Sequence, residues 1–171
     1  MTYTLRQMAD ALWKTGSQKD DNTEGEKIYD RARMLRDRGL IQSSQPRSQG
    51  RTMTLSEADV AAAVVAVMAS LNGASWGQIE ALNQDLRGIG NTQGQPEFER
   101  QIADIASGIP IYARLDIIAG PVPYTRARMG QAADVSLEAA PAAVGTTQMI
   151  FWPVTEIVKP ILDYLVGTGT N

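Results

Sequence analysis

The chain has no cysteine and no histidine. Disulfides, thiolate nucleophiles and imidazole bases are excluded together, as are the donors on which structural zinc sites depend. Aromatic residues are only 6% of the sequence, so a core has to be built from aliphatic side chains and alanine. Long apolar runs are missing too. The most apolar segment, Val60 to Leu71, is short and alanine-rich, and no basic stretch followed by an apolar one opens the chain. Neither a membrane span nor a secretory leader is expected, and the expected location is the cytoplasm, on the nucleoid. No Gly-x-x-x-x-Gly-Lys-Ser/Thr and no strand followed by Gly-x-Gly-x-x-Gly occurs, so no cofactor is expected.

The charge that is present is unevenly placed. The chain of 171 residues carries a net charge of −3, yet residues 1–54 hold ten Lys or Arg against seven Asp or Glu. The remaining residues hold six against twelve. A single basic region beside an acidic remainder argues against a nonspecific coat on nucleic acid.

Within the basic region, local signals agree on where elements begin and end. Thr4 is placed to cap a helix in which Leu5, Met8, Ala9, Leu12 and Trp13 follow helical spacing, with Tyr3 as a staple or short strand. Thr23 and Glu26 fit a capping box opening a second helix near Glu24, and Gly39 stops it. Ile28, Ala32 and Leu35 give that helix a narrow apolar stripe. Lys27, Arg31 and Arg38 fall on one flank, and Tyr29, Arg33 and Arg36 on the other. Guanidinium groups so placed can bind phosphate and fork onto guanine edges. The plain alternative is a solvated, charge-laced surface helix held by i,i+4 pairs. Leu40 and Ile41 are expected to pair back toward Met53 in a basic hairpin, its turn at Ser48-Gln49-Gly50 between Arg47 and Arg51. Ser56 and Asp59 then open a core helix through Val60, Val64, Val65, Val67, Met68 and Leu71 that Asn72-Gly73 ends.

This order, with Tyr3-Thr-Leu, Ile28-Tyr29, Leu35-Arg36, Arg38-Gly39-Leu40, Gly50-Arg51 and Ser56-Glu-Ala-Asp-Val60, resembles the MerR-type winged-helix family over roughly the first seventy residues. The resemblance implies a winged helix-turn-helix whose second helix enters the major groove of double-stranded DNA while the wing grips the backbone. Carried over, it implies DNA contacts from Lys27, Tyr29, Arg31, Arg33, Arg36 and Arg38 on the helix and from Arg47 and Arg51 on the wing. The chain departs from the family pattern in the polar stretch Lys14 to Asn22, longer than a tight turn. It also lacks the long heptad helix through which members commonly dimerise. MerR-like DNA-binding domain, a class shared by excisionases and phage-type regulators, is therefore the label that fits.

The rest reads as a small mixed α+β half, giving an expected division into a winged-helix domain, 1–73, and a dimerisation, effector or interaction domain, 74–171. Ser75 and Gln78 form another capping box for a helix through Ile79, Leu82 and Leu86, ended by Gly88 and Gly90. Asn91 to Gln95 reads as a linker, and Pro96 as the first residue of a helix through Phe98, Ile102 and Ile105, halted by Gly108 and Pro110. Ile111 to Ile117 alternates apolar with Tyr112, Arg114 and Asp116, the period of a strand with one polar face. Val135 with Leu137 and Met149 with Phe151 suggest further strands. Gly120 to Arg128 reads as a loop bearing Tyr124, Arg126 and Arg128. Thr155 is the expected cap of a last helix, bent at Pro160.

The expected function is that of a sequence-specific double-stranded DNA-binding transcriptional regulator, acting as a homodimer on a palindromic site. RNA polymerase or another protein is a further expected partner, and no membrane or metal is. The alternative is a phage-type architectural or adaptor protein that uses the winged scaffold for protein contacts. No catalytic site is expected. Glu97 with Glu99, and Asp116 with Glu138, are the nearest approach to an acid and base pair.

Overall fold

Every residue from Ala58 to Val67 is buried, and five other helices pack on the helix that holds this segment. The computed structural model describes residues 1–16, 22–43, 52–87, 89–90, 95–119 and 124–168. The chain is α+β and runs β1 (Tyr3–Thr4), α1 (Leu5–Gly16), α2 (Asn22–Asp37), β2 (Thr54–Leu55), α3 (Glu57–Leu71), α4 (Trp76–Arg87), β3 (Ile89–Gly90), β4 (Gln95–Pro96), α5 (Glu97–Ser107), β5 (Tyr112–Ile118), β6 (Tyr124–Gly130), α6 (Ala132–Val135), β7 (Thr146–Pro153) and α7 (Val154–Thr168). Among the described residues no helix is long and apolar enough to cross a membrane.

The capping box that opens α3 is formed as expected. The Ser56 hydroxyl accepts the Asp59 N–H at 3.1 Å, and the Asp59 carboxylate accepts the Ser56 N–H at 3.0 Å. Alanine and valine around the whole circumference let α1, α2, α4, α5 and α7 all pack on this one helix. One apolar cluster, from Tyr3 to Leu165, draws on residues from both sides of the boundary expected between 73 and 74.

At the N-terminal end, Leu5, Met8, Ala9, Leu12 and Trp13 are buried as their spacing predicts. β1 pairs antiparallel with β2, Tyr3 opposite Leu55 and Thr4 opposite Thr54. Arg47, Arg51 and the turn Ser48-Gln49-Gly50 lie outside the described residues. The expected stem of that hairpin is corrected, because Leu40 and Ile41 form no strand. Ile41 is buried in the core. The Leu40 N–H is committed to the Leu35 carbonyl at 2.9 Å and the Gly39 N–H to that of Arg36 at 2.9 Å, a Schellman stop with Gly39 at φ 75°. The two ends of the loop are instead joined where the Ser43 hydroxyl donates to the Thr54 carbonyl.

In the other half, three antiparallel strands lie in the order β6-β5-β7. β6 is a correction to the expected loop, since Tyr124 to Gly130 pair in unbroken register with Ile118 to Tyr112. Val135 and Leu137 form no strand. The Gln131 N–H donates to the Asp134 carboxylate at 3.0 Å and starts the helical turn α6. The expected linker ends in a short hairpin, Gln95 opposite Gly90, and Pro96 closes β4 just before α5. Thr155 does not cap α7. Its hydroxyl accepts the Ile111 N–H at 2.9 Å and donates to the Ile109 carbonyl at 2.6 Å, tying the α5–β5 connection to α7.

The polar face expected on β5 is covered. Arg114 and Asp116 are 0% and 1% exposed. Their side chains meet in a two-pronged pair, Nε to Oδ1 at 2.6 Å and Nη2 to Oδ2 at 2.7 Å. Nη1 donates to the Val135 carbonyl at 3.1 Å and the Ala140 carbonyl at 2.7 Å. The guanidinium thereby pins the 131–140 segment over the sheet, and the hydrogen bonds offset the cost of burying both charges. Replacing Asp116 with Ala leaves a buried cation without its partner, so a loss of about 3–5 kcal/mol in urea unfolding is expected. Replacing both members together, Arg114→Met with Asp116→Leu, is expected to cost less than the single change.

Candidate nucleic-acid interface

α2 opens at Asn22, slightly ahead of the expected start, and buries Gly25, Ala32 and Leu35 with Ile28 half-buried. Gly25 sets how closely α2 lies on α1. A Cβ at this position would come within 3.1 Å of the Trp13 ring. The two helices are also fastened at the surface. Arg6 of α1 grips the Glu26 carboxylate, Nη2 to Oε1 at 2.7 Å and Nη1 to Oε2 at 3.1 Å. The Arg6 guanidinium carbon lies 4.8 Å from the centroid of the Tyr29 ring. The hydrogen bond from Arg6 holds the Glu26 carboxyl below its usual range.

The expected DNA-binding residues divide into three groups. Lys27 and Arg33 are exposed and Arg31 is half-buried, and none of the three makes an ion pair among the described residues. Arg36, Arg38 and Tyr29 are already engaged. Arg36 Nη2 lies 2.6 Å from Asp37 Oδ1, and the Arg38 guanidinium stacks 3.9 Å from the centroid of Trp76. Arg47 and Arg51 are outside the described residues. Because Arg6 neutralises Glu26 and Arg36 pairs with Asp37, the charges α2 still presents are Lys27, Arg31 and Arg33 against Glu24 and Asp30, with Arg38 in the turn that follows. The Arg6 clamp has only a partial signal in the sequence. Arg6 and Asp10 share i,i+4 spacing, but the cross-helix partner Glu26 is visible only once α1 and α2 are packed.

The sheet carries a second set of arginines. Tyr124, Arg126 and Arg128 stand opposite Ile118, Asp116 and Arg114. Tyr124 and Arg126 are exposed and Arg128 is half-buried. Burial, then the charges of Arg114 and Arg126, lower the proton affinity of the Arg128 guanidinium below that of an ordinary arginine. Of the carboxylates weighed as acid and base, Asp116 is taken up by Arg114, while Glu99 and Glu138 are exposed. Among the described residues no group of three or more His, Cys, Asp or Glu is placed to hold a metal ion.

Comparison with protein-family models, with curated proteins and with solved structures finds no match.

Proposed function

We propose that the protein binds double-stranded DNA through α2 as a sequence-specific regulator of the MerR-like winged-helix kind, and that it does so as a homodimer. The observation that carries this reading is the cationic surface of α2. Lys27, Arg31 and Arg33 are held on one rigid helix without ion-pair partners among the described residues, next to Arg38. Lys27 and Arg31 lie on one flank of the apolar stripe and Arg33 on the other, so cations on both flanks can neutralise phosphates while guanidinium groups reach base edges. The order of elements supports it as well, α1 and α2 packed together and β1 paired with the strand that leads into α3. The adaptor reading has its own support in Glu24 and Asp30, exposed acidic side chains interleaved with the arginines. DNA repels these and a protein partner can pair with them.

β7 supports self-association. Its sequence, Thr-Thr-Gln-Met-Ile-Phe-Trp-Pro, holds no charge, and β5 is its only strand partner among the described residues. Met149 is 37% and Phe151 is 49% exposed. Edge strands in monomers are usually blunted by lysine, proline, bulges or cover; β7 has a register shift opposite Ile117 and Ile118 and ends in Pro153, and the stretch between, Gln148 to Trp152, is regular and uncharged. A neutral strand can meet its own copy across a two-fold axis without like charges facing each other.

Substituting Arg31 and Arg33 by Ala is expected to weaken duplex binding and to reduce the salt slope by about 0.9 for each phosphate that is no longer neutralised. Titration of a labelled duplex at several salt concentrations reads both, and unchanged binding favours the adaptor reading. Met149→Lys places a charge on the open edge. Light scattering is expected to find a dimer in the parent and a monomer in the variant, with urea unfolding little changed.

A further inference from the structure

Arg6, Arg36, Arg114 and Arg38 each have a guanidinium held against another side chain. The first three spend their N–H groups in the process. Arg6 stacks on Tyr29, but gives Nη1 and Nη2 to Glu26 and Nε to Asp10. Arg36 gives Nε and Nη2 to Asp37, and Arg114 gives all three nitrogens to Asp116 and the carbonyls of the covering turn. Arg38 differs. It is exposed, its guanidinium carbon lies 3.9 Å from the centroid of the Trp76 ring, and it makes no ion pair among the described residues. A guanidinium that stacks through its face keeps its N–H groups, which lie in its plane and point away from the ring. Both sides of this stack are held by the fold. Trp76 opens α4, where the Ser75 N–H donates to Gln78 Oε1 at 2.7 Å and Ile79 and Leu82 are buried in the core. Asn83, about two turns later on the same face of α4, donates from Nδ2 to the Leu40 carbonyl at 2.8 Å. α4 thus grips the turn after α2 on either side of Gly39, whose φ of 75° fixes the course of the backbone there.

We infer that Trp76 is a positioning residue for nucleic-acid binding, and that it presents the outward edge of Arg38 to a backbone phosphate of the duplex that α2 binds. The planar fork of a guanidinium matches two phosphate oxygens, and here no protein group has to be displaced first. Asp37, the carboxylate next to it in the chain, is taken up by Arg36. The stack also removes a cost. A free arginine has to be ordered when it binds, whereas the ring orders Arg38 in the unbound protein. Helical spacing puts Lys27 and Arg31 along the flank that leads to Arg38, so the ligand that fits is a polyanion and not a single free phosphate.

The inference rests on the reading of α2 as a DNA-binding helix, and the test separates the two. A labelled duplex of mixed sequence is titrated at several salt concentrations with the parent full chain, with the Arg31→Ala and Arg33→Ala double variant, and with variants of the stack. Arg38→Ala is expected to reduce the salt slope by about 0.9, the loss of one phosphate. Trp76→Leu keeps the charge and the apolar packing but removes the flat ring. It is expected to weaken binding about fivefold, because Arg38 must then be ordered on binding. Trp76→Phe retains a ring face and is expected to keep most of the affinity. In the Arg38→Ala background Trp76→Leu is expected to change nothing further, whereas a merely structural role would show the same loss there. Unchanged affinity in Trp76→Leu, an equal loss in Trp76→Phe, or a loss that persists without Arg38 overturns the inference and leaves the contribution of Arg31 and Arg33 standing. Should Trp76→Leu fail to fold, an unchanged salt slope in Arg38→Ala overturns it alone. A parent that binds no duplex overturns both readings.

Discussion

The packing of α3 is the constraint on which the remaining structure depends. Its residues from Ala58 to Val67 are buried on every side, and the helices that touch it come from both halves of the sequence. Close packing of this kind leaves no slack, because an added methylene forces neighbouring side chains off their rotamers. α1, α2 and α7 can approach one another only because alanine and valine keep the hub thin. The same economy recurs at Gly25, where α2 rests on the Trp13 ring.

From this hub the character of the outer surfaces follows. α2 spends its small residues and Leu35 on the core, which leaves its cationic side chains for the outside. Arg6, from α1, then cancels Glu26, so the surface of α2 is more basic than its sequence alone indicates, while the Arg36–Asp37 pair removes one charge of each sign and leaves the balance unchanged. In the three-stranded sheet the polarity is inverted. There a complete arginine and aspartate pair is drawn inward to hold the 131–140 segment, and an uncharged strand is left at the edge of the sheet.

Much of the helical framework is legible in the sequence because its signals are local. Ser56 with Asp59, Ser75 with Gln78, and Gly39, Gly73 and Gly108 act within a few residues of themselves, and each marks a helix end in the structure. The alternation in Ile111 to Ile117 locates β5 to within one residue. It does not show that Arg114 and Asp116 are buried, since their cover comes from a turn more than twenty residues onward. β6 escapes a sequence reading for a related reason. Arginines at Arg126 and Arg128 read as loop, and only pairing with β5 gives the intervening Ala127 and Met129 a side to face. Thr155 has the chemistry of a cap, yet the carbonyl and amide near it belong to residues 109 and 111. Within the candidate interface, the positions on α2 are readable from helical spacing. Which arginines remain unpaired is not, because Trp76 and Glu26 meet their arginines only in the fold.

The most direct measurement is selection of bound duplexes from a random DNA pool with the purified protein at about 150 mM salt, where nonspecific affinity is weak. Enrichment of two inverted half-sites at a fixed spacing is the expected result. A recovered pool indistinguishable from the input, with the protein still folded, would contradict a DNA-reading role for α2.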